Sequence, residues 1–453
     1  MSLARPFTRP LARRQLLLSL PVRRNNTAAS PTTQRGALHG VKILDLTRVL
    51  AVRKSSWQYR VVLTGQGPFC TQILADYGAD VLKVENPKGG DDTRLWRTKT
   101  EDRIWKPSEH DASAYFCAVN RNKRSITLNL KHDRARDLVF RLVKWADVVV
   151  DNFIPGKMEE LGFGYEAMRQ VNPSIIHASV TGYGAQGPYA QRAGYDVIAA
   201  AEAGLLHITG EPNGPPAKPG LGLTDMCTGL YLHGAILAAL YSRQQTGRGQ
   251  KIDTSLFETQ ISLLTNVAMS WLNNGESASR WGTGHPSIVP YQAFQTKDSY
   301  LVLGAVNNRQ FANLCQLLGQ PDLVNDDRFA SNNSRIANRA ALQEILENFF
   351  KKKTTDDWLA DLEGSGMPYG PINNMEQVFS HPQAQARDMV RTIPHQAAQA
   401  EEIKVLGAPV KFSDTSPQIR RPPPGLGEHT YATLEEIGLS KEEIEELRAG
   451  NVV

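Results

Sequence analysis

The sequence predicts an α/β fold, a doubly wound and mostly parallel sheet with a smaller α+β domain. Three observations point there. From Gly40 to about Ser255, short apolar runs alternate with helical patterns, the rhythm of repeated βαβ units. From about Ile288 to Asp388 that rhythm gives way to a hairpin pattern followed by helices. The chain has 453 residues, 41% of them apolar and 21% charged, which suits two or three soluble domains.

Taken in order, the first strand is "VKILDLT" (Val41 to Thr47), alternating apolar and polar residues. "FCTQILADYGADVLKVE" then reads as a helix and a second strand. "SITLNL", "DVVVDNF", "SIIHASVTGYG" and "QKIDTSL" are the later strands of this Rossmann-like domain, with helical stretches between most of them. In the second region "YQAFQTKDSYLVLGA" is a hairpin turning at Lys-Asp, and "NRAALQEILENFFKK" and "TTDDWLADLEGSG" are helices. The tail adds "IKVLGAPVKFS", a proline spacer at Pro422 to Pro424, and a last helix over "TYATLEEIGLSKEEIEELRAG". The expected division is 1–36 leader, 37–255 large domain, 256–287 linker and glycine loop, 288–388 small domain, and 389–453 a return segment completing the large domain.

The formal charge of +5 is carried by the leader. Residues 1–36 hold seven arginines and no acid, leaving 44 Lys and Arg against 46 Asp and Glu elsewhere. A near-neutral body argues against a nucleic-acid partner. An Arg-rich, acid-free start with a short apolar patch has the makeup of a mitochondrial transit peptide, which points to the matrix; the alternative is a plain tail. No stretch offers ~18 uninterrupted apolar residues, so no membrane partner is expected. Cys70, Cys117, Cys227 and Cys315 lie far apart without metal-ligand spacing, which suits a reducing compartment and gives no metal site.

Two motifs invite chemistry. "GYGAQG" (Gly182 to Gly187) matches the glycine pattern of a dinucleotide turn, but Pro188 follows and no helix begins. It is read as a turn beside a ligand. Asp225 stands directly before an apolar, small-residue helix expected over Met226 to Arg243, where Gly229, Gly234, Ala235, Ala238 and Ala239 would admit a close neighbour. At an N-cap, Asp225 would be stabilising and ionised. An ionised carboxylate in an apolar pocket is also a possible nucleophile. Spacing alone leaves both readings open.

A series of blocks then points to a family. "ILDLTRVLA", "GPFCTQILADYGADVLKVENPKGGDDTRLW", "AVNRNKRSITLNLK", "ADVVVDNFIPGKMEELGFGYE", "IIHASVTGYGAQGPYAQRAGYD", "KPGLGLTDMCTGL" and "TGRGQKID" resemble, in order, the class III (formyl-CoA transferase-like, CaiB/BaiF) CoA-transferases. The likeness runs over roughly residues 38 to 453. "SRWGTGHPSIVPYQAF" and "YGPINNM" are most similar to mitochondrial members that use succinyl-CoA and glutarate.

The resemblance implies an interlocked homodimer that moves CoA from succinyl-CoA to glutarate, or to a relative such as 3-hydroxy-3-methylglutarate, through an aspartyl-CoA thioester on Asp225. Coenzyme A is then a co-substrate and no resident cofactor is needed. The CoA contacts implied are Leu128, Asn129, Leu130 and Lys131, then Asn152, Phe153 and Ile154, with Tyr195 and Asp196 near the pantetheine arm. Two positions depart from the family pattern: Glu160 stands where an arginine contact is expected, and Leu50 where a glutamine is. Arg121 is the candidate for the acceptor's second carboxylate, because bidentate recognition of a diacid favours arginine; its alternative role is to cover the sheet edge. Gly282, Gly284 and His285, in "WGTGHP", belong to a loop expected to close over the intermediates, the alternative being a plain linker. A 2-methylacyl-CoA racemase would carry a histidine where Tyr195 stands, and a non-catalytic acyl-CoA binder would tolerate loss of Asp225.

The stretch from Arg48 to Cys70 is too long for a strand-to-helix loop of about 2 to 6 residues. Removing Val52 to Gln66 restores "RVLAGPFCTQ", the family's uninterrupted turn. A segment that begins with Val and ends with Gln can be a translated in-frame intron, whereas the alternative is a real hairpin insertion.

Overall fold

The computed structural model describes residues 35–48, 65–107 and 112–453. The leader and most of the Val52 to Gln66 stretch therefore lie outside the described residues. Six strands, β1 (Lys42–Asp45), β2 (Asp80–Glu85), β3 (Lys123–Thr127), β4 (Val148–Asp151), β5 (Ile176–Thr181) and β6 (Lys251–Ser255), form one sheet in the order β3-β2-β1-β4-β5-β6. Every neighbouring pair is parallel. Ile43 lies opposite both Val81 and Val148, so the near-continuous apolar runs read from the sequence sit in the sheet's middle.

Successive strand residues feed opposite layers, as the period of two requires. Ile43, Val81, Val148 and Val150 pack with Cys70, Leu74, Leu232, Ile236 and Ala239, from helices Gln66–Asp76 and Leu223–Thr246. Leu44, Leu82 and Val149 pack with Leu138, Val139 and Leu142 of helix Ala135–Trp145, and with Leu434, Ile444 and Leu447 near the C-terminus. The helix Leu223–Thr246 is long and apolar enough, by length and composition, to cross a bilayer. Its buried stripe makes it a core helix of the sheet.

A second, antiparallel sheet of β7 (Tyr291–Gln295), β8 (Tyr300–Gly304) and β9 (Tyr369–Pro371) has its own core around Phe294, Leu301, Phe311, Leu342, Phe350 and Trp358. The hairpin β10 (Val390–Pro394) and β11 (Glu402–Leu406) packs against Trp105, Phe116 and Cys117. The single helix expected at the C-terminus is two, Thr430–Glu436 and Lys441–Ala449. Gly438 adopts φ 90° between them, and Ser440 with Glu443 forms a capping box that starts the second. All four cysteines are unpaired.

Candidate active site

The helix that carries Asp225 begins earlier than its spacing suggests. It runs Leu223–Thr246 with Gly222 at the N-cap, so Asp225 lies inside the first turn rather than at the cap. The capping is done from outside: Asp196, the first residue of helix Asp196–Glu202, accepts the Asp225 N–H through Oδ1 at 3.0 Å and also takes the Thr224 N–H. Tyr195 is that helix's N-cap.

Asp225 is fully buried, at 0% exposure. Its Oδ2 accepts the Gly65 N–H at 3.2 Å, and its Oδ1 has no hydrogen-bond partner among the described residues. Burial and then the Asp196 charge push its pKa well above the usual carboxylate range, opposed only by the Gly65 N–H. The expectation that a helix terminus keeps this group readily ionised is thereby corrected: desolvation outweighs the single donor. Asp196 is itself raised, chiefly by burial.

Gly65 is held there by helix packing. Gly229, one turn beyond Asp225, faces the start of helix Gln66–Asp76 so closely that a Cβ would stand 2.7 Å from the Gln66 carbonyl and 3.2 Å from Phe69 Cδ1. Gly234 faces open space and makes no such contact. Beneath this turn is a buried charge network. Lys123 Nζ reaches Asp45 (3.0 Å) and the Pro68 carbonyl (2.9 Å), Thr71 Oγ1 donates to Asp45, Lys83 pairs with Asp91, and Arg94 with Glu85. Burial draws Lys123 down to about 8.

The remaining expected residues fall into place unevenly. Leu128 is a core side chain, Asn129 donates its N–H to the Val452 carbonyl, Leu130 is partly buried and Lys131 is exposed at the end of β3. Asn152 commits its side-chain amide to the backbone of Arg48, while Phe153 and Ile154 line a cavity of about 140 Å³ with Asp151 and His177. Larger cavities, of about 340 and 350 Å³, lie at Glu159–Lys251 and at His39–Arg421, and Asp225 lines none of the three. The loop Trp281 to Pro286 is tied to Gly210 and Arg339 instead of to Asp225: Gly282 N–H donates to the Gly210 carbonyl, Arg339 Nη2 to the Pro286 carbonyl, and His285 stacks on Tyr291. Gly284 closes a turn on the Trp281 carbonyl.

Arg121 is engaged within the fold. Its guanidinium grips Asp76 through two bonds (3.0 and 2.6 Å) and donates to the Leu406 carbonyl, with both charged side chains about 6% exposed. Asp76 ends the eleven-residue helix that Gly65 begins, so Arg121 and Asp225 face opposite ends of a helix about 16 Å long. These are contacts of the kind a sheet-edge role calls for, and an Arg121→Ala variant separates that role from recognition of the acceptor.

The CoA-transferase family III model matches residues 38–430. The chain is a family III CoA-transferase. The transferase is 53% identical over 450 residues to an acyl-CoA transferase of Fusarium pseudograminearum, covering 99% of this chain and 95% of that one. It is 45% identical over 400 residues to the human succinyl-CoA:glutarate CoA-transferase, covering 88% and 86%. Among solved structures, a CAIB/BAIF family protein from Brucella suis superposes with a TM-score of 0.77 at 41% identity, over 89% of this chain and all of that one.

Two groups of the transferase site were missed in the sequence. The Gly65 N–H has no side chain to announce it. Tyr115 is raised by burial and by the charges of Asp225, Asp196 and Asp91, and Trp96 meets it edge-on at 5.3 Å. Only three-dimensional proximity reveals that Tyr115 lies near these acids.

Proposed function

We propose that the protein moves CoA from succinyl-CoA to glutarate, or to a related dicarboxylate such as 3-hydroxy-3-methylglutarate, with Asp225 as the acyl acceptor. The observation that carries this reading is a fully buried carboxylate with one oxygen on a backbone N–H and the other without a hydrogen-bond partner among the described residues. The identity to named succinyl-CoA:glutarate transferases supports the substrate pair.

The chemistry follows from what such a group can do. The Asp225 carboxylate attacks the succinyl carbonyl, forming a mixed anhydride and releasing CoA thiolate. The thiolate attacks the aspartyl carbonyl, giving aspartyl-CoA thioester and succinate. A glutarate carboxylate attacks that thioester, forming the aspartyl-glutaryl anhydride and releasing thiolate again. Attack of the thiolate on the glutaryl carbonyl yields glutaryl-CoA and the free Asp225 carboxylate. Every step exchanges oxygen and sulfur on an acyl carbon, so CoA is consumed and returned as co-substrate and no resident cofactor is required. The Gly65 N–H is placed to stabilise negative charge on the acyl-aspartyl oxygen. A site that closes around Asp225 once the acyl-CoA is in place would keep out water, which would otherwise hydrolyse the anhydride.

CoA is expected along the carboxyl edges of β3 and β4, over the Leu128 to Lys131 and Asn152 to Ile154 segments, with the Tyr195–Asp196 turn near its arm and the Gly282 to His285 loop covering the reacting end. We assign the Arg-rich leader to targeting to the mitochondrial matrix. A homodimer is proposed as well: Trp271 and Leu272, on helix Thr265–Asn274 with no buried residue, are 60% and 74% exposed, apolar surface that a second, interlocked copy would cover. The test is glutaryl-CoA formation from succinyl-CoA and glutarate by the purified chain, with light scattering for the dimer. Racemisation of a 2-methylacyl-CoA without transfer, or acyl-CoA binding with no turnover, would overturn the reading.

A further inference from the structure

We infer that Arg48 is a substrate-binding residue, its guanidinium taking an anionic oxygen group of the acyl-CoA: a phosphate of CoA or the distal carboxylate of the acyl chain. This rests on the transferase reading of Asp225.

Arg48 follows the carboxyl end of β1, next to β4 in the sheet. The chain leaving β1 enters the layer of helix Gln66–Asp76, whereas the chain leaving β4 contributes Met158, Phe163 and Met168 to the opposite layer. Divergence of this kind opens a crevice at the carboxyl edge, where parallel sheets bind ligands. Asn152, the first residue after β4, fixes Arg48 across it: Arg48 N–H donates to Asn152 Oδ1 at 3.1 Å, and Asn152 Nδ2 donates to the Arg48 carbonyl at 2.6 Å.

The side chain has no such commitment. Nε of Arg48 is buried without a hydrogen-bond partner, and no acid lies within ion-pair distance of the guanidinium among the described residues. The carboxylates beside it are engaged elsewhere. Asp45 is taken by Thr47, Thr71 and Lys123, and Asp151 by His177, Ser179 and the Phe153 N–H. The other cations of this edge are neutralised in turn: Lys123 by Asp45, Lys83 by Asp91 and Arg94 by Glu85. A buried donor with no acceptor is unfavourable, so an incoming anion gains an unusually receptive partner. The planar fork matches a phosphate or a carboxylate through paired bonds.

Arg48 is also close to the reacting centre. The Thr47 methyl stands 2.6 Å from where a Cβ on Gly67 would lie, and Gly67 is two residues from the N–H that holds Asp225.

The test replaces Arg48 in the full chain by Met and by Lys, and measures KM for succinyl-CoA, for glutarate and for S-succinyl pantetheine, which lacks the CoA phosphates. Arg48→Met should raise KM for succinyl-CoA about 10- to 100-fold, the range of a charge-assisted hydrogen bond, with an unchanged melting temperature and partial recovery in Arg48→Lys. If the effect vanishes with S-succinyl pantetheine, the anion is a phosphate. If it persists there and KM for glutarate rises alike, the anion is the distal carboxylate. Unchanged KM for all three substrates in Arg48→Met, or a loss of melting temperature that Lys does not recover, would overturn the assignment. An inactive Asp225→Asn beside a normal Arg48→Met discards Arg48 alone; an active Asp225→Asn discards the underlying reaction.

Discussion

Replacing Arg121 by Ala should cost folding stability and leave substrate recognition intact. Breaking a buried ion pair from one side leaves an uncompensated charge and typically costs about 3–5 kcal/mol. Asp76 would keep the Asn122 Nδ2 donor at 2.8 Å, and the Arg420 charge acts nearby, so the lower end, about 3 kcal/mol, is expected. Scaled to a folded unit of this length, about 1–2 °C per kcal/mol, the melting temperature should fall by roughly 3–6 °C. Arg121→Met combined with Asp76→Asn should recover part of the loss, because no orphan charge then remains. Thermal denaturation supplies the first readout and KM for glutarate, measured well below the transition, the second. An unchanged melting temperature with a tenfold or greater rise in KM for glutarate would refute the structural reading and return Arg121 to the acceptor site.

Asp196→Asn removes a like charge while keeping an oxygen for the Asp225 and Thr224 N–H groups. Because Asp225 must be ionised to attack and its pKa is raised, kcat/KM should fall as pH drops through that value, and the variant should move this acid limb to lower pH; a pH profile shifted upward would contradict it. Gly229→Ala places a Cβ 2.7 Å from the Gln66 carbonyl, so the helices must part and carry Gly65 from Asp225; transfer should drop by up to ~100-fold, read in kcat with melting temperature as the control. Deleting Val52 to Gln66 puts Leu50 and Ala51 where Gly65 and Gln66 now start the helix. The main obstacle is the movable end of Met226, 2.9 Å from a Cβ at position 65. The deletion should fold with an equal or higher melting temperature and bind CoA more tightly by calorimetry, and weaker binding would mark the insertion as genuine.

The sheet was legible because its inner strands are buried on both faces and read as apolar runs between helical patterns. Its order was not, since strand sequence carries no record of neighbours. Asp225 was singled out through the surrounding blocks, but its position within the first turn was not legible, because the carboxylate that caps the helix, Asp196, belongs to another element. For the same reason the Asp225 pKa was read in the wrong direction: burial is a property of the packed layers, not of the helix start. The pairing of Arg121 with Asp76 was not legible because the two lie 45 residues apart in the chain. Lys83, Lys123 and Arg94 resemble surface charges in sequence, yet all three are buried against acids at the carboxyl edge.

The central claim is that CoA becomes covalently attached to Asp225. Incubation of the wild-type chain with succinyl-CoA, rapid hydroxylamine treatment and peptide mass analysis should place a hydroxamate on Asp225, absent when succinyl-CoA is omitted and absent in Asp225→Asn, which should also lose transfer while binding CoA within a few fold of wild type. An unmodified Asp225 peptide under turnover, or glutaryl-CoA still formed by Asp225→Asn, would contradict the account.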